Sequence, residues 1–326
     1  GYVAGGPVDQ QGSSTIYRTE DGGQKWTQDG YQTDSTIYGI TAEPVTGGHG
    51  AVGAGYTGLT YWRDTTATSN ATRWKTNKRL PSNGSELTPC QNTAPLGAID
   101  SSASGRYVVG GAWGSNYSTS VAYPPVSGSW AEASPFDAMD MHEFRLRAVY
   151  AEDPGTGASP TTAYAVGQFG LIMKTIDAGA TWAVQRILSI PAQLNGCAPL
   201  NPSILTPSGE EDAFLRDIQF WNTNQGAAVG EPYDNGATPP THNVSIVYTA
   251  DAGATWTTAS VAQPAGRVKL RAIDVAPTHT GIALGNHADG SFAMYLTSNR
   301  GASWGEWPAA FQPPVTGVTW EDVSYD

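Results

Sequence analysis

The stretch Thr249-Ala250-Asp251-Ala252-Gly253-Ala254-Thr255-Trp256 recurs nearly letter for letter in the chain. Thr175-Ile176-Asp177-Ala178-Gly179-Ala180-Thr181-Trp182 is its closest copy. Thr19-Glu20-Asp21-Gly22-Gly23-Gln24-Lys25-Trp26 is a second, and Thr297-Ser298-Asn299-Arg300-Gly301-Ala302-Ser303-Trp304 a weaker third. In every copy a Trp follows the Asp or Asn by five residues. An Asp or Asn side-chain oxygen opens a tight turn, the Gly two residues on accepts positive φ, and the β-branched and aromatic flanks suit strands. Each copy therefore reads as a hairpin. Asp21, Asp177, Asp251 and Asn299 stand at the turns, and Trp26, Trp182, Trp256 and Trp304 are expected to be buried between neighbouring sheets.

Two inner strands precede each hairpin. Leu146-Arg147-Ala148-Val149, Leu215-Arg216-Asp217-Ile218 and Leu270-Arg271-Ala272-Ile273 open three units. Small-residue strands ending in Gly167, Gly230 and Gly285 follow them. Two degenerate units keep a Trp without the turn: Ile37-Tyr38-Gly39-Ile40 with Ala51-Val52-Gly53 and Trp74, and Leu96-Gly97-Ala98-Ile99 with Val108-Val109-Gly110 and Trp130. The pattern Ser/Thr-x-Asp-x-Gly-x-Thr-Trp resembles the Asp-box of sialidase-like, BNR-type β-propellers, where it joins the two outer strands of a blade. That resemblance implies an all-β, single-domain propeller of four-stranded antiparallel blades. The repeats place six of them at about 316–326 with 1–30, 36–75, 95–131, 145–183, 214–257 and 269–305. Val318-Thr319-Trp320-Glu321-Asp322-Val323 reads as the first strand of a blade whose second strand is Tyr2-Val3-Ala4-Gly5, so the two ends are expected to close the ring and remove open sheet edges.

Composition fits. Thirty-nine Gly and 22 Pro with only 14% charged residues suit many short strands and turns, and 326 residues can bury a large core. A net charge of −12 argues against a nucleic-acid partner, which relies on clustered Lys and Arg. No apolar run approaches the ~20 residues that cross a bilayer. The start at Gly1 without Met is expected of a processed or truncated product. Cys90 and Cys197 lie in connections that leave one face of a propeller, so they are a candidate disulfide, with two buried thiols as the alternative. Sequons stand at Asn70, Asn83, Asn116 and Asn243, all in segments read as loop. Together these features favour an extracytoplasmic protein.

Sialidases carry an Arg-Ile-Pro-type signature near the start of the propeller, together with a Tyr/Glu pair, an acid Asp and three substrate-clamping arginines. Here the nearest string, Arg186-Ile187-Leu188-Ser189-Ile190-Pro191, follows the second complete turn at the wrong spacing, so no catalytic role carries over. Arg147, Arg216 and Arg271 instead stand at equivalent points of three units, with Tyr38, Gly97 and Glu321 at the matching points of the others. They could hold an anion or a partner by charge-assisted hydrogen bonds, or be neutralised locally by Asp217, Glu143, Glu211 or Asp212. The Leu-Arg-x-Ile opening, the Val-Gly strand and the hairpin together resemble the blades of photosystem II stability/assembly factor-like propellers. This implies a non-enzymatic protein that grips others through its faces.

Two carboxylate-rich loops, one with Asp137, Asp140, His142 and Glu143 and the other with Glu210, Glu211 and Asp212, could flank a sugar or be solvated loop faces. Aromatics at Trp62, Trp113, Tyr117, Trp221, Tyr233 and Trp307 could stack on a ligand or pack between blades. Five scattered His and two distant Cys form no zinc pattern, and neither a metal nor a cofactor is expected. The leading expectation is a non-catalytic binding or scaffold propeller for a protein or glycan partner. A sialidase-like glycoside hydrolase is the alternative, and a self-associating surface or filament component a further one.

Overall fold

The computed structural model describes residues 2–5, 14–21, 24–32, 37–42, 51–55, 60–63, 66–76, 96–102, 105–110, 121–123, 131–132, 146–152, 161–177, 181–186, 214–232, 244–262 and 266–308. Among them the strands form six sheets built from sequence-adjacent, antiparallel neighbours. The first holds β1 (Tyr2–Gly5), β2 (Ser14–Arg18) and β3 (Thr27–Gln32). The second holds β4 (Ile37–Ala42), β5 (Ala51–Gly55), β6 (Thr60–Arg63) and β7 (Trp74–Thr76), with the single helical turn α1 (Asn70–Arg73) before β7. The third is β8 (Leu96–Ser102), β9 (Gly105–Gly110), β10 (Val121–Tyr123) and β11 (Ala131–Glu132). The fourth is β12 (Leu146–Ala151), β13 (Ala163–Gly167), β14 (Ile172–Thr175) and β15 (Ala183–Arg186). The fifth is β16 (Phe214–Phe220), β17 (Gly226–Glu231), β18 (Ser245–Thr249) and β19 (Thr257–Thr258). The last is β21 (Val268–Val275), β22 (Gly281–His287), β23 (Phe292–Thr297) and β24 (Ser303–Glu306), to which β20 (Ser260–Val261) adds in parallel. No described helix is long and apolar enough to cross a membrane.

The chain divides into two compact units. One comprises Gly1–Ala163, Thr175–Trp182 and Gln193–Pro199; the other comprises Tyr164–Lys174, Ala183–Ala192 and Leu200–Asp326. In the first, Ile16, Ile37 and Trp74 form a buried cluster with Tyr2, Ala4 and Ile40 against it, so the first sheet packs on the second. In the second unit, Val229, Ile246, Leu270, Ile273, Tyr295 and Trp304 share one core between the last two sheets. Alternation explains both, because every second side chain of a strand reaches the same face.

Backbone amides are tied across sheets as well. Asp217 accepts from the amide of Ile218 at 2.8 Å in its own strand and of Ile273 at 2.9 Å in the next sheet. Asp100 accepts from the Ala151 amide at 2.8 Å in the same way.

Register corrects the sequence alignment of one unit. The second strand of the second sheet, expected at Ala51-Val52-Gly53, runs to Gly55, and Ile37 pairs with Gly55 as Leu96 pairs with Gly110, Leu215 with Gly230 and Leu270 with Gly285. Gly53-Ala54-Gly55 offers two glycines, and only the bulge in the facing strand selects the second.

Candidate binding site at the strand bulges

Two of the three Leu-Arg openings prove to be bulges. Pairing shifts between Leu215 and Asp217 and between Leu270 and Ala272, which leaves Arg216 and Arg271 as the extra residues. The same shift leaves Tyr38 and Gly97 extra in their strands. A bulge bends the strand and re-aims one side chain out of the ladder. Gly230 and Gly285 make this possible: a Cβ there would lie 2.1 Å from the Phe214 carbonyl oxygen and 1.9 Å from that of Lys269.

The two re-aimed arginines share a carboxylate. Arg216 Nη2 lies 2.5 Å from Glu231 Oε1, Arg271 Nη2 lies 4.0 Å from the same oxygen, and Lys269 Nζ lies 3.7 Å from Oε2. The Arg216 guanidinium sits 4.7 Å above the Phe214 ring, a cation–π contact that fixes its plane. Both arginines and Glu231 are half-buried, while Lys269 reaches solvent. Arg147 belongs to the first unit and is half-buried in β12. Of the carboxylates expected to neutralise the arginines, Asp217 ties backbone amides, and Glu143, Glu211 and Asp212 lie outside the described residues. The sequence reading missed Glu231, although register arithmetic points to it: it follows Gly230 and stands opposite Phe214 at the mouth of the hairpin.

The repeated turns form a separate group. Thr249 Oγ1 donates to Asp251 Oδ1 at 2.8 Å and accepts from the Gly253 amide at 2.9 Å. Asp251 also accepts from the Thr255 amide at 2.8 Å and the Thr255 hydroxyl at 2.6 Å. Asp177 repeats this with Thr175 at 2.8 Å and Thr181 at 2.8 and 2.5 Å; Asp21 does so with Thr19 at 2.8 Å and the Lys25 amide at 2.9 Å. Asn299 takes the place of the carboxylate with one reversal, its Nδ2 donating to Ser303 Oγ at 2.8 Å. Positive φ is not confined to the glycine: Ala252 (56°) and Arg300 (55°) precede Gly253 (79°) and Gly301 (85°) in the left-handed region.

Hydrogen bonds from Thr255, against a smaller effect of burial, hold the Asp251 carboxyl below its ordinary value. The lowered folded value means that this stabilisation is complete above the ordinary carboxylate range and is lost as pH falls through the folded value. Asp251→Asn should therefore keep the fold at neutral pH, as Asn299 does in its own turn. It should also lose less melting temperature than the parent between about pH 5 and pH 2, which thermal melts across pH will read.

One aromatic expectation fails. Trp182 and Trp304 are buried and Trp256 is half-buried, but Trp26 is 41% exposed. Tyr17, just before the same turn, is equally exposed, whereas its counterparts Met173 and Tyr295 are fully buried. The turn closes through its own polar contacts whether or not its Trp is covered, and this face of the first sheet is less covered. Trp304→Ala should cost about 3–5 kcal/mol as a core truncation, and Trp26→Ala under about 1 kcal/mol. Denaturant unfolding of the two variants should separate them clearly.

Asn70, expected in a loop, begins α1, where it is exposed and donates from Nδ2 to the Gln28 carbonyl at 3.0 Å. The coil it begins carries Arg73 and Trp74 to Asp29, in place of a box turn. Trp221 is a core residue whose indole donates to the Thr280 carbonyl at 2.6 Å. Cys90, Cys197, Asn83, Asn116, Asn243, Trp113, Trp130, Tyr117, Tyr233 and the stretches 137–143, 210–212 and 309–326 lie outside the described residues. Among the described residues no group of three or more His, Cys, Asp or Glu could hold a metal ion.

No family model matches the sequence, and no curated protein matches it. Among solved structures the chain is similar to Sqt1 of Saccharomyces cerevisiae, with a TM-score of 0.55 at 11% identity over 100% of this chain and 75% of that one. It is also similar to Chaetomium thermophilum Sqt1 bound to the N-terminus of the ribosomal protein L10, with a TM-score of 0.52 at 12% identity over 94% and 71% of the two chains. A YCF48 bound to a D1 peptide aligns with a TM-score of 0.37 at 15% identity over 68% of this chain, which spans 57% of that one. The Sqt1 structures are β-propellers, and that is the fold of this chain.

Proposed function

We propose that the chain is a non-catalytic binding or scaffold propeller that takes an acidic segment of a partner protein at the face carrying Arg216 and Arg271. One observation carries the reading: three basic side chains, Arg216, Lys269 and Arg271, gather within 4.0 Å of the Glu231 carboxylate in a chain of net charge −12. Guanidinium groups offer paired donors that suit carboxylates, and partial desolvation strengthens such bonds. A propeller can take a peptide segment of a partner protein, as Chaetomium thermophilum Sqt1 is bound to the N-terminus of the ribosomal protein L10. The Asp-box reading of the turns supports a structural role for Asp21, Asp177 and Asp251, whose oxygens are engaged in closing the turns.

The proposal includes one domain of six blades, closed by 316–326 pairing with the blade begun by 1–30. Its support is register. Gly5 pairs with Thr15 as Gly230 pairs with Ser245 and Gly285 with Ala293, and those two glycines make room for a bulged inner strand. The sequence Trp320-Glu321-Asp322-Val323 has the inner-strand pattern for that place. Truncation after Pro314 should then yield an aggregating or open chain; a truncated monomer with unchanged melting would rule closure out. Growth of the intact chain with concentration in light scattering would instead favour strand exchange between molecules. An extracytoplasmic setting, supported by the four sequons and two cysteines, is checked by the mass lost on glycosidase treatment of protein from its natural source.

An Asp/Glu-rich peptide should bind with an affinity that falls as salt rises. Replacing both Arg216 and Arg271 with Ala should weaken it by about tenfold or more, given about 1.5–3 kcal/mol per hydrogen bond to a charged group. Unchanged binding in the double variant would remove the reading. A panel of sialyl and other glycosides should show no turnover; turnover abolished by Glu211→Gln would establish the hydrolase instead.

A further inference from the structure

We infer that Glu231 is the resident occupant of the anion position, and that an acidic ligand binds by displacing it, so that Glu231 sets the threshold for binding. The inference rests on the reading of this face as an acidic-peptide site. Of the three cations around Glu231, only Arg216 lies at hydrogen-bond distance, 2.5 Å; Lys269 at 3.7 Å and Arg271 at 4.0 Å are within ion-pair range but beyond it. A carboxylate accepts at two oxygens from several directions, so one monodentate contact leaves most of that capacity unused. Glu231 is also the last residue of β17, where the hairpin ladder ends at its pairing with Phe214. Its side chain can turn away without breaking a ladder of strand hydrogen bonds.

The surrounding groups are built to stay. Arg216 is held over Phe214, and both arginines emerge from bulges backed by glycine against the facing strand. A ligand carboxylate approaching past the exposed Lys269 would meet Arg216, held over Phe214, with Glu231 as its competitor. If Glu231 served instead to position the arginines, its loss would weaken binding, and the two roles predict opposite signs.

Hexaglutamate is the probe. Titrated into the parent, Glu231→Gln and Glu231→Gln/Arg271→Ala, it should bind Glu231→Gln about tenfold more tightly than the parent, since one competing charged contact is worth about 1.5–3 kcal/mol. The double variant should lose that gain. Glu231→Gln should also melt lower than the parent without peptide and show the larger rise on adding it. Equal or weaker affinity in Glu231→Gln overturns the displacement. Should that variant not fold, Glu231→Asp, one methylene shorter, should tighten binding by a smaller factor, and no change there overturns it equally. The two levels separate through Arg271→Ala in the parent. Binding lost there but not raised in Glu231→Gln sinks displacement alone, whereas binding indifferent to Arg271 sinks the binding face itself.

Discussion

Asp29→Ala is expected to destabilise the protein by about 3–5 kcal/mol, the cost of leaving buried charges without their partner. Asp29 is 3% exposed on the outer strand of the first sheet. It accepts from Arg63 Nε at 2.7 Å and Nη2 at 3.1 Å, from Arg73 at 2.8 Å and from the Trp74 indole at 3.2 Å. Burial pushes its carboxyl up, but the hydrogen bonds from Arg63, Arg73 and Trp74 outweigh this and hold it below the ordinary carboxylate value. The stabilisation is therefore complete above that value and lost as pH falls through the folded one. Chemical denaturation at neutral pH reads the loss directly. A second arm checks the mechanism: Asp29→Asn keeps the shape but not the charge, and should recover only a minor part of it. A variant as stable as the parent would show that Arg63 and Arg73 find other partners.

Gly285→Ala should be comparably severe, about 3 kcal/mol or more, as an overpacked site whose neighbour is backbone and cannot swing aside. The added Cβ would lie 1.9 Å from the Lys269 carbonyl oxygen and 2.8 Å from Leu270 Cα. Relief requires β21 and β22 to part where Leu270 pairs with Gly285, next to Arg271. Peptide binding should fall together with stability, which a mere core defect elsewhere would not cause. Gly305→Ala is the control: nothing lies within 4 Å of its Cβ position, and the change should be neutral or slightly stabilising through the unfolded chain. Equal melting of the two variants would refute the close-approach account of the bulge glycines.

The turns were legible because their chemistry is local. Thr249, Asp251 and Thr255 bond within four residues of one another, so a repeated string of eight letters contains the whole structure of the hairpin. Strand order followed from the same repeats, since each inner pair directly precedes its hairpin. The Leu-Arg motif located Arg216 and Arg271 but not their partner, because Glu231 meets Arg271 only where two sheets face each other. Likewise, Arg63 and Trp74 reach Asp29 from 34 and 45 residues away, and no local pattern relates them. The choice of Gly55 over Gly53 and the exposure of Trp26 were decided by which bulge, and which neighbouring surface, lies opposite. The sequence determined by itself what is bonded within a hairpin; the tertiary structure decided register, burial and charge pairing, because these depend on distances between strands that spacing along the chain does not encode.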